Sequence, residues 1–114
     1  MKEDRVYLQH ILDGLDAVRE HTSEGAEFFF SDRKTQKAVL RELQEIAEST
    51  QRLSSDLKER FDGIPWREIA GFRNVIVHDY LGLNMKRIWE IVERDLPDLE
   101  RQLRDNQADL SEDP

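Results

Sequence analysis

Val39, Leu43, Ile46, Thr50, Leu53 and Leu57 step along the chain by fours and threes. That interval gathers all six on one side of an α-helix and would scatter them over both faces of a strand. The seam predicts one long helix over about residues 32–61. Its other face, Arg41, Glu42, Glu45, Glu48, Arg52, Lys58 and Glu59, is of the kind that normally stands in water. A helix with one apolar seam must bury it against other helices, so the rest of the chain has to supply them.

It does so. Leu8, Ile11, Leu12, Leu15 and Val18 keep helical spacing and predict a first helix over 3–22. Gly25 interrupts, and a short aromatic run, Phe28 to Phe30, follows. One short turn cannot bury three aromatics, so that run is read as core or subunit-contact packing. Ser31 or Asp32 can cap the long helix. Asp62-Gly63-Ile64-Pro65 ends it, with Gly63 suited to a left-handed cap and Pro65 to the first position of a third helix. This third helix runs to about His78. DYLGLN is a turn, and Asn84 can cap a last helix with Met85, Ile88, Val92, Leu96, Leu99 and Leu103 as its stripe. Pro97 should kink that helix, since it lacks a backbone donor. No strand-period segment, internal repeat or low-complexity tract occurs. The fold class is all-α: an antiparallel helical bundle with one long helix and a kinked C-terminal helix.

The 114 residues have the size of one domain, large enough to bury a core without cross-links. Residues 1–104 form that domain, and 105–114 are expected to be a disordered acidic tail. No run of 18 apolar residues exists, which excludes a spanning helix. The N-terminus, MKEDRVYLQH, is too charged for a signal peptide. The absence of cysteine excludes disulfides and thiol catalysis and suits a cytoplasmic protein.

Net charge is −8, which argues against a broad phosphate-binding surface. The last ten residues hold four acids and no base, leaving −4 on residues 1–104. An RNA site would have to be a local basic cleft.

Most enzyme chemistries find no motif. There is no Gly-rich phosphate loop, no His-Glu-x-x-His pair and no nucleophile elbow. His10 and His21 are eleven residues apart, not the four that one helix face needs to hold a metal.

What remains is residues 73–80, RNVIVHDY. Val75, Ile76 and Val77 can bury against the bundle and against a second surface. Asn74 and His78 are one helical turn apart, and Arg73 lies about 140° around the axis from His78. A symmetric dimer facing two copies of this helix would gather two arginines and two histidines around one groove. Histidine can take and give a proton near neutral pH, and arginine can clamp a phosphate through two hydrogen bonds. Such a groove suits metal-independent cleavage of a phosphodiester by the 2′-OH of RNA. The competing reading is structural: a histidine near a helix C-terminus and an arginine in an ion pair.

R-N-x-x-x-H-x-Y resembles the signature of the HEPN superfamily, and within it the HepT-like toxins of nucleotidyltransferase/HEPN (type VII) toxin–antitoxin pairs. SDRKTQKAVLRELQEIAEST resembles the second helix of that family, and IPWREIAGFRNVIVHDYLGLNMKRIWEIVERDLPDLERQL its C-terminal half. The resemblance spans about residues 5–104. It implies a HEPN bundle that forms a homodimer through the motif helices and acts as an endoribonuclease on tRNA or mRNA. Arg73, Asn74 and His78 match the family's active-site positions. Tyr80 matches a tyrosine that a partner antitoxin, a minimal nucleotidyltransferase, modifies with AMP using ATP and Mg²⁺. Cleavage itself would need no cofactor. The alternative is a non-catalytic helical subunit that docks a nucleotidyltransferase and presents substrate or nucleotide to it.

Overall fold

The computed structural model describes residues 2–78 and 84–105, with side chains for 3–73 and 84–105. Among them the chain forms α1 (Lys2–His21), α2 (Ala26–Ser31), α3 (Arg33–Arg52), α4 (Ser55–Arg60), α5 (Trp66–His78), α6 (Met85–Glu90), a π-helical turn (Ile91–Asp95) and α7 (Leu96–Asp105). No strand occurs among the described residues, and no helix there is long and apolar enough to cross a membrane. The expected acidic tail and the DYLGLN turn, apart from Asn84 at its end, fall beyond the described residues, save that Asp105 closes α7.

The central element is α3, which packs against α1 and α5. Asp4 of α1 reaches Ser54, just past the end of α3, while Gly14 further along α1 lies against Ile46. The two helices therefore run antiparallel. A Cβ on Gly14 would stand 2.8 Å from Ile46 Cγ1, so the bare glycine permits this close approach. α7 closes the other side of α1, also antiparallel: Arg19 pairs with Glu100, and Arg104 with Asp16 at 3.4 Å. All six seam positions are buried, Val39 and Leu57 almost completely. Each such aliphatic side chain contributes about 1.5–3 kcal/mol by leaving water. Thr50 is buried among them because its hydroxyl donates to the Ala47 carbonyl at 2.7 Å.

The long helix expected over 32–61 is two helices. Leu53 is extended (φ −69°, ψ 147°) and Ser54 caps α4, its hydroxyl accepting from Leu57 N–H at 3.1 Å. The break is held from outside. The Asp4 carboxylate accepts from Ser54 N–H at 2.8 Å and from its hydroxyl at 2.7 Å. The seam continues through the break, since Leu53 and Leu57 stay buried.

A second expectation is corrected at the glycines. Gly63 does not take a left-handed conformation; the one glycine at positive φ among the described residues is Gly25 (φ 93°). α4 ends instead with Phe61 N–H donating to Leu57 O, and Ile64 N–H turns back to Phe61 O. Pro65 precedes α5, and its carbonyl accepts the first bond of that helix from Ile69. Of the two candidate caps for α3, Asp32 serves, accepting from Thr35 N–H at 3.1 Å. Asn84 caps α6 as expected, accepting from Lys86 N–H. The interruption expected at Pro97 takes the form of the π-helical turn. Leu96 N–H bonds back five residues to Ile91 O, just before the proline that lacks a donor.

Candidate active site

α5 carries the motif, and its start is fixed before the motif begins. The Trp66 indole N–H is shared between the carbonyls of Lys58 (3.2 Å) and Phe61 (3.1 Å). Ile69 is buried and Phe72 packs on the core, which sets the rotation of the helix about its axis. Arg73 follows, and its Nε lies 3.6 Å from Glu48 Oε1 of α3. That is an ion pair, but too long for a hydrogen bond. Arg73 Nε is nonetheless buried and has no hydrogen-bond partner. The rest of the side chain is partly open: it is 39% exposed overall and its Glu48 partner 42%.

An ion pair this exposed is worth about 0–1 kcal/mol. The buried donor without a partner costs about 1–3 kcal/mol. Arg73 is thus held only weakly by its carboxylate, with hydrogen-bonding capacity left over. α5 stays helical through His78, so the backbone keeps Arg73, Asn74 and His78 at helical spacing. The side chains of Asn74 and His78, and Tyr80 as a whole, lie outside the described residues.

Glu48 also lines a groove of about 650 Å³ between α1 and α3, with Tyr7, His10, Asp13, Glu42, Glu45, Ser49 and Arg52. The charged face of α3 is therefore only partly solvated. The Arg52 guanidinium stands 5.8 Å over the Tyr7 ring. Four carboxylates face this groove against one guanidinium, which makes it repel phosphate. The acids sit close enough to feel one another. Burial raises the pKa of Glu42, and Glu45 raises it further, against the opposing pull of His21 and Arg41. Among the described residues no group of three or more His, Cys, Asp or Glu side chains is placed to hold a metal ion. A second cavity, about 350 Å³, opens between α3, α5 and α7, with Leu43, Ile46, Ile69, Phe72, Leu96 and Leu99 as its apolar wall.

Sequence reasoning found Arg73 but missed its partner, because nothing in the α3 pattern separates Glu48 from the other acids on that face. The period of α3 does place Glu48 beside the seam, next to buried Ala47 and Ser49.

The ribonuclease HepT-like family model matches residues 11–105. A Caldanaerobacter subterraneus subsp. tengcongensis protein named "Putative RNase TTE0752" is 36% identical over 107 residues, covering 92% of this chain and 95% of the relative. A Thermococcus cleftensis protein named "Probable ribonuclease HepT" is 37% identical over 94 residues, covering 82% and 86%. A third relative, from Methanocaldococcus jannaschii, is named "Gamma-glutamylcyclotransferase and putative RNase MJ0434". It is 32% identical over 103 residues, which are 90% of this chain but 46% of that longer protein. No solved structure gives a significant match. An all-helical bundle and a family match over 95 of the 114 residues agree, and the chain belongs to the ribonuclease HepT-like family.

Proposed function

We propose that this chain is an endoribonuclease acting as the toxin of a toxin–antitoxin pair, with Arg73, Asn74 and His78 of α5 as its active site. The observation that carries the reading is Arg73. Its guanidinium is set beside α3 by the packing of α5, it stays partly open to solvent beside a carboxylate too far off to hydrogen-bond it, and it lies five residues before His78 on an unbroken helix.

In this reading the solvent-open part of the Arg73 side chain, not its buried Nε, donates to the phosphate of an RNA strand. A non-bridging phosphate oxygen can take two parallel hydrogen bonds with its neighbour from one guanidinium. The imidazole of His78 takes the proton of the ribose 2′-OH, whose oxygen attacks the adjacent phosphorus. The bond from phosphorus to the 5′-oxygen breaks, and that oxygen receives a proton from the His78 of a second copy across a homodimer axis. The products are a 2′,3′-cyclic phosphate and a free 5′-OH. Arg73 stabilises the charge on the phosphorane, and Asn74 orients the imidazole or the phosphate. No metal enters this scheme. The strand is a tRNA or an mRNA.

Tyr80 is the control point of the proposal. A partner nucleotidyltransferase antitoxin, using ATP and Mg²⁺, would transfer AMP to its phenol oxygen. The adduct adds bulk and negative charge two residues from His78, which excludes and repels an RNA phosphate.

The test is RNA cleavage by the purified protein in EDTA, alongside His78→Ala. Wild type should cut and His78→Ala should not, with helical content and molar mass unchanged. If His78→Ala cuts or intoxicates cells as wild type does, the catalytic assignment fails and a binding subunit for the nucleotidyltransferase is the better reading. Intact mass after co-expression with the antitoxin should rise in steps of one AMP that map to Tyr80.

A further inference from the structure

Phe28 and Phe30 are large apolar side chains left in water, 39% and 43% exposed, in a protein that buries more than twenty other apolar residues. They flank Phe29, which is fully buried. Phe30 is not loose. Its ring lies 5.4 Å from Phe29 and 6.2 Å from Trp89 of α6, so the exposed aromatic surface rests on a rigid base.

Glu27 and Asp32 flank the rings, but the helix that follows them opens with a charge the reverse of the protein's own. α3 begins directly after α2, and the Gln36 side chain donates to the carbonyls of Phe29 (3.0 Å) and Phe30 (3.1 Å), tying its first turns to the aromatic segment. Residues 33–41, RKTQKAVLR, hold four basic residues and no acid, in a chain of net charge −8. Arg33, Lys34 and Lys37 are exposed.

We propose that Phe28 and Phe30, with Arg33, Lys34 and Lys37, form a binding platform for single-stranded RNA, separate from the α5 site. The inference rests on the ribonuclease reading above. Exposed rings offer stacking faces that accept any base, and adjacent cations hold the backbone between them, the combination that single-strand binders use. A protein partner would need more apolar area than two half-exposed rings, and would gain nothing from a basic cluster unless it were acidic.

Position gives the platform a specific role. Lys37 and Glu48, the partner of Arg73, are eleven residues apart on α3, or about 16 Å along the helix axis. At about 3.4 Å per stacked nucleotide that is roughly five nucleotides. The stretch between carries Glu42 and Glu45, which keep a phosphate backbone off the middle of the helix. The strand is therefore gripped at its end and at the cut, and RNAs too short to span both should lose the platform's contribution.

The experiment uses the full chain carrying His78→Ala, so that RNA survives, and a fluorescein-labelled 12-nucleotide single-stranded RNA. Phe28→Ala/Phe30→Ala should weaken binding at least fivefold, with circular dichroism unchanged. Lys34→Gln/Lys37→Gln should reduce the slope of log affinity against log salt by about 1.4, the value for two phosphate contacts on a single strand. Heparin, a polyanion without bases, should bind the aromatic variant as well as the parent. Undiminished RNA binding by the aromatic variant overturns the platform. So does an equal loss of heparin binding, or a drop in molar mass, which would assign the rings to a protein contact. A dinucleotide substrate separates this proposal from the ribonuclease reading. Cleavage of it by the chain with native His78 should be unaffected by either double substitution, whereas failure of that chain to cut any RNA counts against the α5 site alone.

Discussion

Arg73 of α5 and Glu48 of α3 face each other at 3.6 Å, close enough for charge attraction and too far for a hydrogen bond. The carboxylate therefore competes with a phosphate for the same guanidinium while adding little to the fold. Replacing Glu48 by Gln removes one negative charge from the rim of the proposed site. At about 6 Å in water-like dielectric that charge is worth about 0.7 kcal/mol, or roughly threefold in binding. Glu48→Gln should bind single-stranded RNA about threefold tighter at low salt, with a melting temperature within about 2 °C of wild type. Fluorescence anisotropy at two salt concentrations checks it, and weaker binding would mean that Glu48 instead holds Arg73 in its working position.

Asp4 makes a different kind of contact. It is 4% exposed, and its two oxygens take the N–H and hydroxyl of Ser54, whose own oxygen caps α4. Asp4→Ala leaves both donors of Ser54, its N–H and its hydroxyl, without their acceptor and loosens the cap at once. Hydrogen bonds to a charged group contribute about 1.5–3 kcal/mol. Asp4→Ala should lose about 2–3 kcal/mol in urea unfolding, while Ser54→Ala, which keeps the N–H contact, should lose less.

Gly14 lies inside α1, where alanine ordinarily favours a helix by about 1 kcal/mol. Here the sign should reverse. The added Cβ would meet Ile46 Cγ1 at 2.8 Å and force α1 and α3 apart or Ile46 off its rotamer. Overpacking of this kind costs about 1–3 kcal/mol. Gly14→Ala should be net destabilising by about 1 kcal/mol in chemical denaturation, and Gly14→Val by more.

These contacts also mark what the sequence could and could not disclose. The α3 seam was legible because all its positions answer to one period, and burial follows that period from Val39 to Leu57 without a miss. The break at Ser54 was not, because apolar spacing continues across it and its cause, Asp4, lies fifty residues away. Ser54 is of a residue type that caps helices, but the seam runs through it unbroken. The turn at 62–65 misled for a related reason. A glycine before a proline resembles a left-handed cap, yet Phe61 had already closed α4, and the positive φ was needed at Gly25 instead. In the site, Arg73 stood out through its spacing to His78. Its pairing with Glu48 depends on how α5 rolls against α3, and local pattern does not encode that rotation.

Among the described residues, Glu42 has its pKa raised partly by a neighbouring acid. Burial first, and then the neighbouring Glu45, raise its pKa in the fold above the ordinary value of 4.5. Between that value and the raised one, the folded protein holds a proton that the unfolded chain has released. Stability contributed by this group therefore falls as pH rises through that window, and above it the charged Glu42 is a standing cost. Glu42→Gln removes the cost. The variant should melt above wild type at pH 7, and the gap should shrink as pH drops, closing below about 4.5 where both states of the wild-type residue are protonated. Thermal melts of the two proteins from pH 4 to 8 test it. A gap that stayed constant with pH would assign the gain to packing, and a wild type that melted higher at pH 7 would show that His21 and Arg41 outweigh the burial of the carboxylate.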